Sequence, residues 1–543
     1  MLNLLQGPVQ FSNHLFAGID ALARRRLMSI LVVFFLSFGG SWLFSAFRGI
    51  PVPYIHDEFS YLLAGDTFAH GRITNPTHPM WEYFETFHVL QHPTYMSRYP
   101  PGQGIFLAVG QVIFGHPIYG VWLSAGLMCA AICWMLYAWV SPRWALIGGL
   151  VAVIQFGIFT YWSQSYWGGA VAGIGGALVF GALPRIIKYQ RLRDALFLGL
   201  GIGILANTRP VEGILFGIPL GCIALPWKIK WQALDKRRLL KNAVLPLMLL
   251  ILATAILTGI YNKKITGNAL MLPHVLYSKL YSTIPVFIWQ PLYPAVHYNH
   301  KVLADYFRNW DIGQYHYKRS WKGFTRGIFR DSVDIGMFFF GFPLAFPILL
   351  LFSYARTAAR FILAAGIILL MLGMVTVPAH AHYAAPLTCM AVLLITIGLR
   401  FLSLLKLRRI KIGTTLVMFL VLLQLGLNLF LTPRLPKDIS LATVKQISNG
   451  RVLAGEFSRQ ELKDILIKLG GNHLVIVKYP PHHESLWDWV YNDADIDNSP
   501  IVWARGMGGQ RNTKLLEYYQ DRQVWEIKVN WDYVRYYANE ARL

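Results

Sequence analysis

The sequence predicts a polytopic α-helical membrane protein that carries a small soluble α/β domain at its carboxyl end. Of the 543 residues, 55% are hydrophobic and only 14% are charged, whereas about a quarter of the residues in a soluble globular chain are charged. Apolar runs long enough to cross a bilayer recur as far as residue 431. Beyond residue 433 the sequence returns to a soluble composition, with 15 basic and 14 acidic residues.

The membrane part is predicted to contain about eleven transmembrane helices. The apolar runs fall at 27–47, 118–140, 143–161, 167–187, 194–208, 211–227, 243–261, 334–353, 360–377, 384–403 and 412–431. The fifth and sixth runs are short and meet at residues 207–210, so one broken helix is an alternative to two spans. Residues 1–26 are predicted to form a cytoplasmic amphipathic arm, and residues 27–432 a transmembrane module with long external loops at 48–115 and 262–332. Residues 433–543 are predicted to form an external, periplasmic domain.

The net charge of +23 is a topology signal and does not indicate a nucleic-acid partner. The predicted cytoplasmic connections hold 21 basic and 3 acidic residues, which by the positive-inside rule places the amino terminus in the cytoplasm. An odd number of spans then places the carboxyl-terminal domain outside. The external segments contain no Asn-x-Ser/Thr glycosylation site. This absence favours the inner membrane of a bacterium.

The carboxyl-terminal domain is predicted to alternate helices and strands. Its apolar spacing indicates helices at 459–469 and 513–519 and strands at 473–477, 501–504 and 524–529. The pattern is typical of a small sheet with helices packed on it.

Acidic residues concentrate in the first external loop, which contains Asp57, Glu58, Asp66, Glu82 and Glu85. Asp57 and Glu58 follow the first span by about ten residues, and a carboxylate so close to lipid is costly unless it is used or paired. One interpretation is that the pair caps a surface helix, because apolar residues follow with helical spacing. The other is a general base with a neighbour that orients it. Adjacent residues do not share a helix face, so the pair does not fit the two flanking carboxylates of a glycosidase.

Four motifs carry a resemblance to a known family. The segment His56-Asp57-Glu58-Phe59-Ser60-Tyr61 and the later Arg98-Tyr99-Pro100-Pro101-Gly102 resemble the GT-C superfamily of glycosyltransferases, such as the protein O-mannosyltransferases of glycosyltransferase family 39 and the lipid A aminoarabinose transferase. Residues 201–210 look like that family's Gly-Leu-Ala-x-Leu-Thr-Lys element, with Arg209 in place of the Lys. Residues 383–386 resemble the start of a late helix in the same family.

The resemblance implies a polyprenyl-phosphate sugar donor, an active site on the external face and inversion at the anomeric carbon. It implies that Asp57 is the general base, supported by Glu58, and that cations bind the leaving phosphate. The expected donor phosphate contacts are Arg98, Arg209, His382 and Tyr383, and the expected substrate-lining residues are Tyr61, Tyr99, Gln164, Trp167, Glu85 and His88. Simpler interpretations stay open: Arg98 snorkels, Arg209 pairs with Glu212, and the aromatic run at 161–167 anchors the membrane interface.

No cofactor is required by the sequence, but a divalent metal is left open, with His56, Glu82, Glu85 and His88 as candidate ligands. The acceptor, whether protein, lipid or polysaccharide, is not specified. The alternative functions are a transporter or flippase of a lipid-linked saccharide and a non-catalytic envelope assembly subunit. A transporter is disfavoured because the ionisable residues lie in asymmetric external loops and no internal repeat is evident.

Overall fold

The structure is a computed structural model that describes residues 16–219, 235–349, 374–375, 380–407, 412–431, 440–446, 452–480, 483 and 485–531. After a helical segment at 16–24, the helices of the membrane part are α1 (Arg26–Arg48), α2 (His56–Ala69), α3 (Pro101–Phe114), α4 (Ile118–Leu136), α5 (Pro142–Ala152), α6 (Ala170–Tyr189), α7 (Leu192–Ala206), α8 (Pro210–Pro219), α9 (Lys236–Thr266), α10 (Pro273–Tyr281), α11 (Lys301–Asp305), α12 (Ile312–Arg319), α13 (Trp321–Leu349), α14 (Thr388–Leu402) and α15 (Gly413–Leu431).

Within these described ranges, seven helices are long and apolar enough to cross a membrane. They are α1, α4, α6, α9, α13, α14 with the turn that precedes it, and α15. The polytopic helical class predicted from the sequence is therefore confirmed. Most of the predicted run at 360–377 and about half of the run at 211–227 lie outside the described residues. Helices α5 and α7 are shorter than a full span.

Helices α4, α6 and α14 form the centre of the bundle, where most of their side chains are buried, whereas most of the side chains of α1, α9 and α15 are not buried. Small residues permit the close packing. Gly176 on α6 lies directly against the backbone of Pro386, and an added Cβ there would come within 2.3 Å of the Pro386 carbonyl oxygen. Such contacts explain why glycines recur in this part of the sequence.

The first predicted external loop, residues 48–115, folds into α2 and a small antiparallel sheet. The sequence did not predict this sheet. Its strands are β1 (Asn75–Pro76), β2 (Val89–Leu90) and β3 (Thr94–Ser97), in the order β1-β3-β2. Strands of two to four residues are too short to show an alternating pattern. The second predicted external loop, residues 262–332, contains α10, α11 and α12, and its last residues belong to α13.

The carboxyl-terminal segment is an α/β domain, as predicted. It contains β4 (Ser440–Gln446), β5 (Val452–Phe457), α16 (Arg459–Leu469), β6 (His473–Lys478), β7 (Ile501–Arg505), α17 (Gly509–Tyr518) and β8 (Gln523–Trp531). The sheet order is β5-β4-β8-β6-β7, with β6 parallel to both β7 and β8. Strands β4 and β5 were not predicted.

This domain packs directly on the first external loop. The Phe59 ring on α2 stacks on Tyr491 with centroids 4.4 Å apart. On the same helix, the Asp66 carboxylate accepts a hydrogen bond from the backbone N–H of Ala494 at 2.8 Å. These contacts fix the domain beside the segment in which the sequence places the chemistry.

Candidate active site

Asp57 and Glu58 lie in the first turn of α2, and their side chains have different environments. Glu58 is fully buried and accepts hydrogen bonds from the backbone N–H groups of Tyr54, Ile55 and Tyr166, at 3.0, 3.4 and 3.0 Å. Burial raises the pKa of Glu58 to about 7, although these backbone hydrogen bonds oppose the shift. Glu58 therefore links the start of α2 to the 161–169 segment through hydrogen bonds. It can position Asp57 only through the backbone of α2.

The Asp57 carboxylate is partly exposed and held by two neighbours. It accepts a hydrogen bond from the Tyr99 hydroxyl, and its other oxygen lies 2.9 Å from Nδ1 of His56. Burial opposes the charged form, but the interactions with His56 and Tyr99 outweigh it and hold the pKa of Asp57 well below its usual value. Asp57 is therefore ionised at neutral pH, the state that a general base requires.

His56, Asp57 and His88 form a cluster whose ligand atoms lie within 4.8 Å of one another. Nε2 of His56 and Nδ1 of His88 are buried and have no hydrogen-bond partner among the described residues. Two imidazoles and a carboxylate are a donor set that suits zinc and similar divalent ions. The residues therefore fit a divalent metal.

The metal-ligand set expected from the sequence is thus only partly assembled. His56 and His88 meet, but Glu82 is exposed, and the Glu85 carboxylate accepts hydrogen bonds from Tyr281 and Asn299 at 3.0 and 2.8 Å. Asp57 takes the carboxylate position instead. Only the three-dimensional fold brings His88 to the start of α2.

A cavity of about 230 Å³, here called the donor cavity, lies close to Asp57, although Asp57 is not among the residues that line it. Tyr99 and His88 line it, and both lie against Asp57. Four residues for which the sequence predicts substrate or donor contacts also line it: Tyr61, Arg98, Arg209 and Tyr383. Gln164, Trp167, Glu85 and His382 are not among its walls.

Two partly buried arginines line the donor cavity, together with the carboxylates of Glu212 and Asp311. The Arg98 guanidinium lies 5.0 Å from the ring centroids of both Tyr99 and Tyr277, and its Nε has no hydrogen-bond partner among the described residues. Arg209 lies 5.0 Å from the Tyr383 centroid and forms the expected ion pair with Glu212 at 3.3 Å. Arginine is the side chain best suited to bind phosphate oxygens by paired hydrogen bonds.

The break between α7 and α8 places Arg209 in the cavity. The Gly102 backbone N–H donates a hydrogen bond to the Asn207 carbonyl at 2.8 Å, which joins the Pro-Pro-Gly segment to the break. An added Cβ on Gly102 would lie 2.2 Å from Cγ2 of Thr208. This close approach gives a physical reason for glycine after Pro100-Pro101.

We expect Gly102→Ala to displace the 207–209 break and Arg209 with it. The steric cost of overpacking is about 1–3 kcal/mol, so the variant should show lower thermal stability and weaker binding of a polyprenyl-phosphate sugar. Gly39→Ala is the matched control, since no other group lies within 4 Å of the Cβ position at Gly39. Equal donor affinity in both variants would contradict the expectation.

The aromatic run and His382 form a layer beside the cavity. Nδ1 of His382 lies 3.1 Å from the Tyr161 hydroxyl, and the ring centroids of His382 and Trp167 are 4.5 Å apart. Gln164 is buried, accepts a hydrogen bond from Ser45 at 3.1 Å and donates one to the Ile158 carbonyl at 2.9 Å. Its polar groups are therefore engaged within the protein.

The second external loop contributes cavity residues that the sequence did not reveal. Four of its residues line the donor cavity although they belong to no motif recognised in the sequence: His274, Ser278, Ser282 and Asp311. Burial raises the pKa of Asp311 to about 7, although the neighbouring Arg98 opposes the shift. The only sequence signal was the length of the loop, which is typical of functional loops.

Comparisons with known proteins find a similarity to solved structures. No protein-family model and no curated protein sequence matches the chain. The fold is similar to a crystal structure of ArnT from Cupriavidus metallidurans in the apo state, with 13% sequence identity and a TM-score of 0.46, over 93% of this chain and 89% of that chain. A likeness of this size assigns neither an activity nor a site residue to this chain.

Proposed function

We propose that this protein is an integral membrane glycosyltransferase that moves a sugar from a polyprenyl-phosphate donor to an acceptor hydroxyl on the external face. One observation carries the proposal: the ionised carboxylate of Asp57 contacts Tyr99 and lies beside His88, and these two residues line a cavity that also contains Arg98 and Arg209. The resemblance of the Asp57-Glu58 and Pro100-Pro101-Gly102 elements to the GT-C glycosyltransferases supports it.

The base would act on the acceptor. As the acceptor oxygen attacks the anomeric carbon, Asp57 takes its proton, and the bond from that carbon to the phosphate oxygen breaks. Tyr99 and His56 hold the carboxylate in place while it is ionised. A single displacement of this kind inverts the anomeric configuration. Proton removal by a positioned base typically contributes 10² to 10⁴-fold to the rate.

The leaving group would be the lipid phosphate. Its developing negative charge needs cations that are already in position, because reorganising them during the reaction would cost energy. Arg98 and Arg209 meet this need from two separate segments, one before α3 and one between α7 and α8. A divalent ion, if bound by His56, Asp57 and His88, would supply Lewis-acid polarisation of the acceptor oxygen.

The test is transfer by the full chain reconstituted in lipid vesicles. A panel of radiolabelled polyprenyl-phosphate sugars is incubated with a fraction of bacterial envelope acceptors. We expect label to move to the acceptor fraction as unlabelled polyprenyl phosphate accumulates. Movement of intact donor across the bilayer without transfer would instead identify a flippase. Donor binding with neither transfer nor movement would identify an assembly subunit.

Asp311 should make donor binding dependent on pH. Because burial raises its pKa to about 7, Asp311 is neutral below that pH and negatively charged above it. A negative charge in the donor cavity opposes the donor phosphate, so donor affinity should fall about tenfold between pH 6 and pH 8. In Asp311→Asn the dependence should disappear, measured by equilibrium binding of radiolabelled donor. A profile unchanged by the substitution would assign the titration to another group.

A further inference from the structure

A second cavity, here called the outer cleft, lies between the carboxyl-terminal domain and the second external loop. It has a volume of about 220 Å³, roughly fifteen times what one buried water requires. The residues that line it include His300, Lys301, Asp305, Tyr479, His483 and Arg505. None of these residues has a part in the chemistry proposed for Asp57.

The outer cleft lies where the sheet would be expected to bind a ligand. Strands β6 and β7 are parallel, so their carboxyl ends meet at one edge, and Tyr479, Arg505 and His483 follow or end those strands. In sheets with parallel strands, ligands bind in the crevice outside these ends. Helix α11 of the membrane part closes the other side, and junctions between domains are a common place for ligand sites.

Arg505 and His483 each carry a buried polar atom without a partner among the described residues. Arg505 is 2% exposed, its Nε donates to the Glu85 carbonyl and its Nη2 pairs with Asp488, but its Nη1 has no acceptor. His483 uses Nε2 with the Trp487 carbonyl at 3.2 Å, and its Nδ1 has no partner. Unsatisfied buried polar atoms of this kind cost free energy unless a ligand or water satisfies them.

The two atoms have opposite hydrogen-bonding needs. Arg505 Nη1 is a donor, whereas His483 Nδ1 is an acceptor, because Nε2 carries the proton that bonds the Trp487 carbonyl. Burial lowers the pKa of His483 to about 4, which keeps the ring neutral at pH 7. Tyr479 connects them, since its ring stacks on His483 at 4.3 Å and lies 5.8 Å from the Arg505 guanidinium.

The charges around the outer cleft balance. Asp488 neutralises Arg505 directly, and the lining holds one further cation, Lys301, and one carboxylate, Asp305. A phosphate would satisfy Arg505 but place a negative oxygen against the lone pair of His483. Hydroxyl groups suit both atoms, because a hydroxyl can accept from Arg505 and can donate to His483. Neighbouring hydroxyls can use Lys301 and Asp305 in the same way.

We propose that the outer cleft binds an uncharged, hydroxyl-rich ligand and that this ligand is the saccharide part of the acceptor. The assignment to the acceptor rests on the proposed function, whereas the binding of a saccharide does not. Glu85, which bonds Arg505 through its carbonyl, and His88, which lies against Asp57, are three residues apart. Their Cα atoms can be separated by at most about 11 Å, so a short oligosaccharide can contact both the outer cleft and the surroundings of Asp57.

The test is saturation-transfer NMR on the full chain in nanodiscs with methyl glycosides of neutral hexoses, pentoses and N-acetylhexosamines. We expect at least one glycoside to bind saturably and inorganic phosphate not to displace it. His483→Phe, which keeps an aromatic ring beside Tyr479 and removes the acceptor, should weaken binding at least tenfold. His297→Phe, in an exposed part of the second external loop, is the control for the same substitution at another site and should bind as the wild type does.

Lys301→Ala is a second variant that tests the cleft without disturbing the fold, because Lys301 is exposed at the rim of the cleft. It should weaken the same glycoside about threefold with unchanged thermal stability. Absence of saturable binding by every glycoside, displacement by phosphate, or equal binding by His483→Phe and His297→Phe would each overturn the proposal. Donor-dependent transfer is measured on the same preparations. If sugar is transferred but no glycoside binds, only the proposal about the outer cleft is overturned. If a glycoside binds but no sugar is transferred, only the proposed glycosyltransferase activity is overturned.

Discussion

Asp57→Asn is expected to lower the rate of sugar transfer by 10² to 10⁴-fold at saturating donor and acceptor. Asparagine keeps the size of the side chain and can still accept the Tyr99 hydrogen bond, but it cannot take a proton from the acceptor hydroxyl. This range is the usual contribution of a positioned general base. Donor affinity should stay within about threefold of the wild-type value, because Arg98 and Arg209 are unchanged.

The measurement is the initial rate of label transfer in vesicles, with donor binding measured on the same preparation. Glu82→Gln is the matched control, since Glu82 is an exposed carboxylate in the same loop, and its rate should stay within about twofold of wild type. If Asp57→Asn transferred sugar as fast as Glu82→Gln, Asp57 would not be the base. The cluster with His56 and His88 would then have only a structural or ligand-binding role.

The sequence was most informative where local chemistry determines the structure. Helix α16 begins at the predicted residue, where Ser458 and Glu461 form a capping box with hydrogen bonds of 3.2 and 2.9 Å between each side chain and the other's backbone N–H. It ends at the predicted residue before Gly470, which has a positive φ of 71°. The break before Pro210 was visible for the same reason, since proline disfavours a continuous helix at that point. Apolar length alone predicted the membrane helices.

The sequence was less informative where the site is assembled from distant segments. Asp57, Arg98, Arg209 and Asp311 come from four separate parts of the chain. Motif and charge indicated the first three, whereas Asp311 sits in a loop with no distinctive pattern. Glu85 looked equivalent to His88 in the sequence, yet only His88 turns toward Asp57, with a positive φ of 63°. Backbone direction of this kind is set by tertiary contacts.

Asp488→Ala is expected to lower the free energy of unfolding of the carboxyl-terminal domain by about 3–5 kcal/mol. Asp488 and Arg505 form an ion pair whose side chains are 0% and 3% exposed, and the Thr86 hydroxyl donates a further hydrogen bond to Asp488 at 2.8 Å. Removing the carboxylate leaves a buried guanidinium without its counter-ion, and this, more than the lost attraction, is what destabilises a protein. Because Thr86 and Glu85 belong to the first external loop, docking of the domain should weaken too.

Urea unfolding of the reconstituted full chain, followed by tryptophan fluorescence, measures the effect. Glu526→Ala is the matched control, because its pair with Lys478 at 2.7 Å is 35–45% exposed and such pairs contribute at most about 1 kcal/mol. The double variant Asp488→Leu with Arg505→Met should recover much of the loss, since neither charge is then left alone. The pKa of Asp488 is held below its usual value, so the ion pair contributes its full stabilisation at any pH above that usual value. The loss of unfolding free energy in Asp488→Ala should therefore be equal at pH 5.5 and pH 8. A loss that vanished at pH 5.5, or one no larger than that of Glu526→Ala, would contradict this account of the pair.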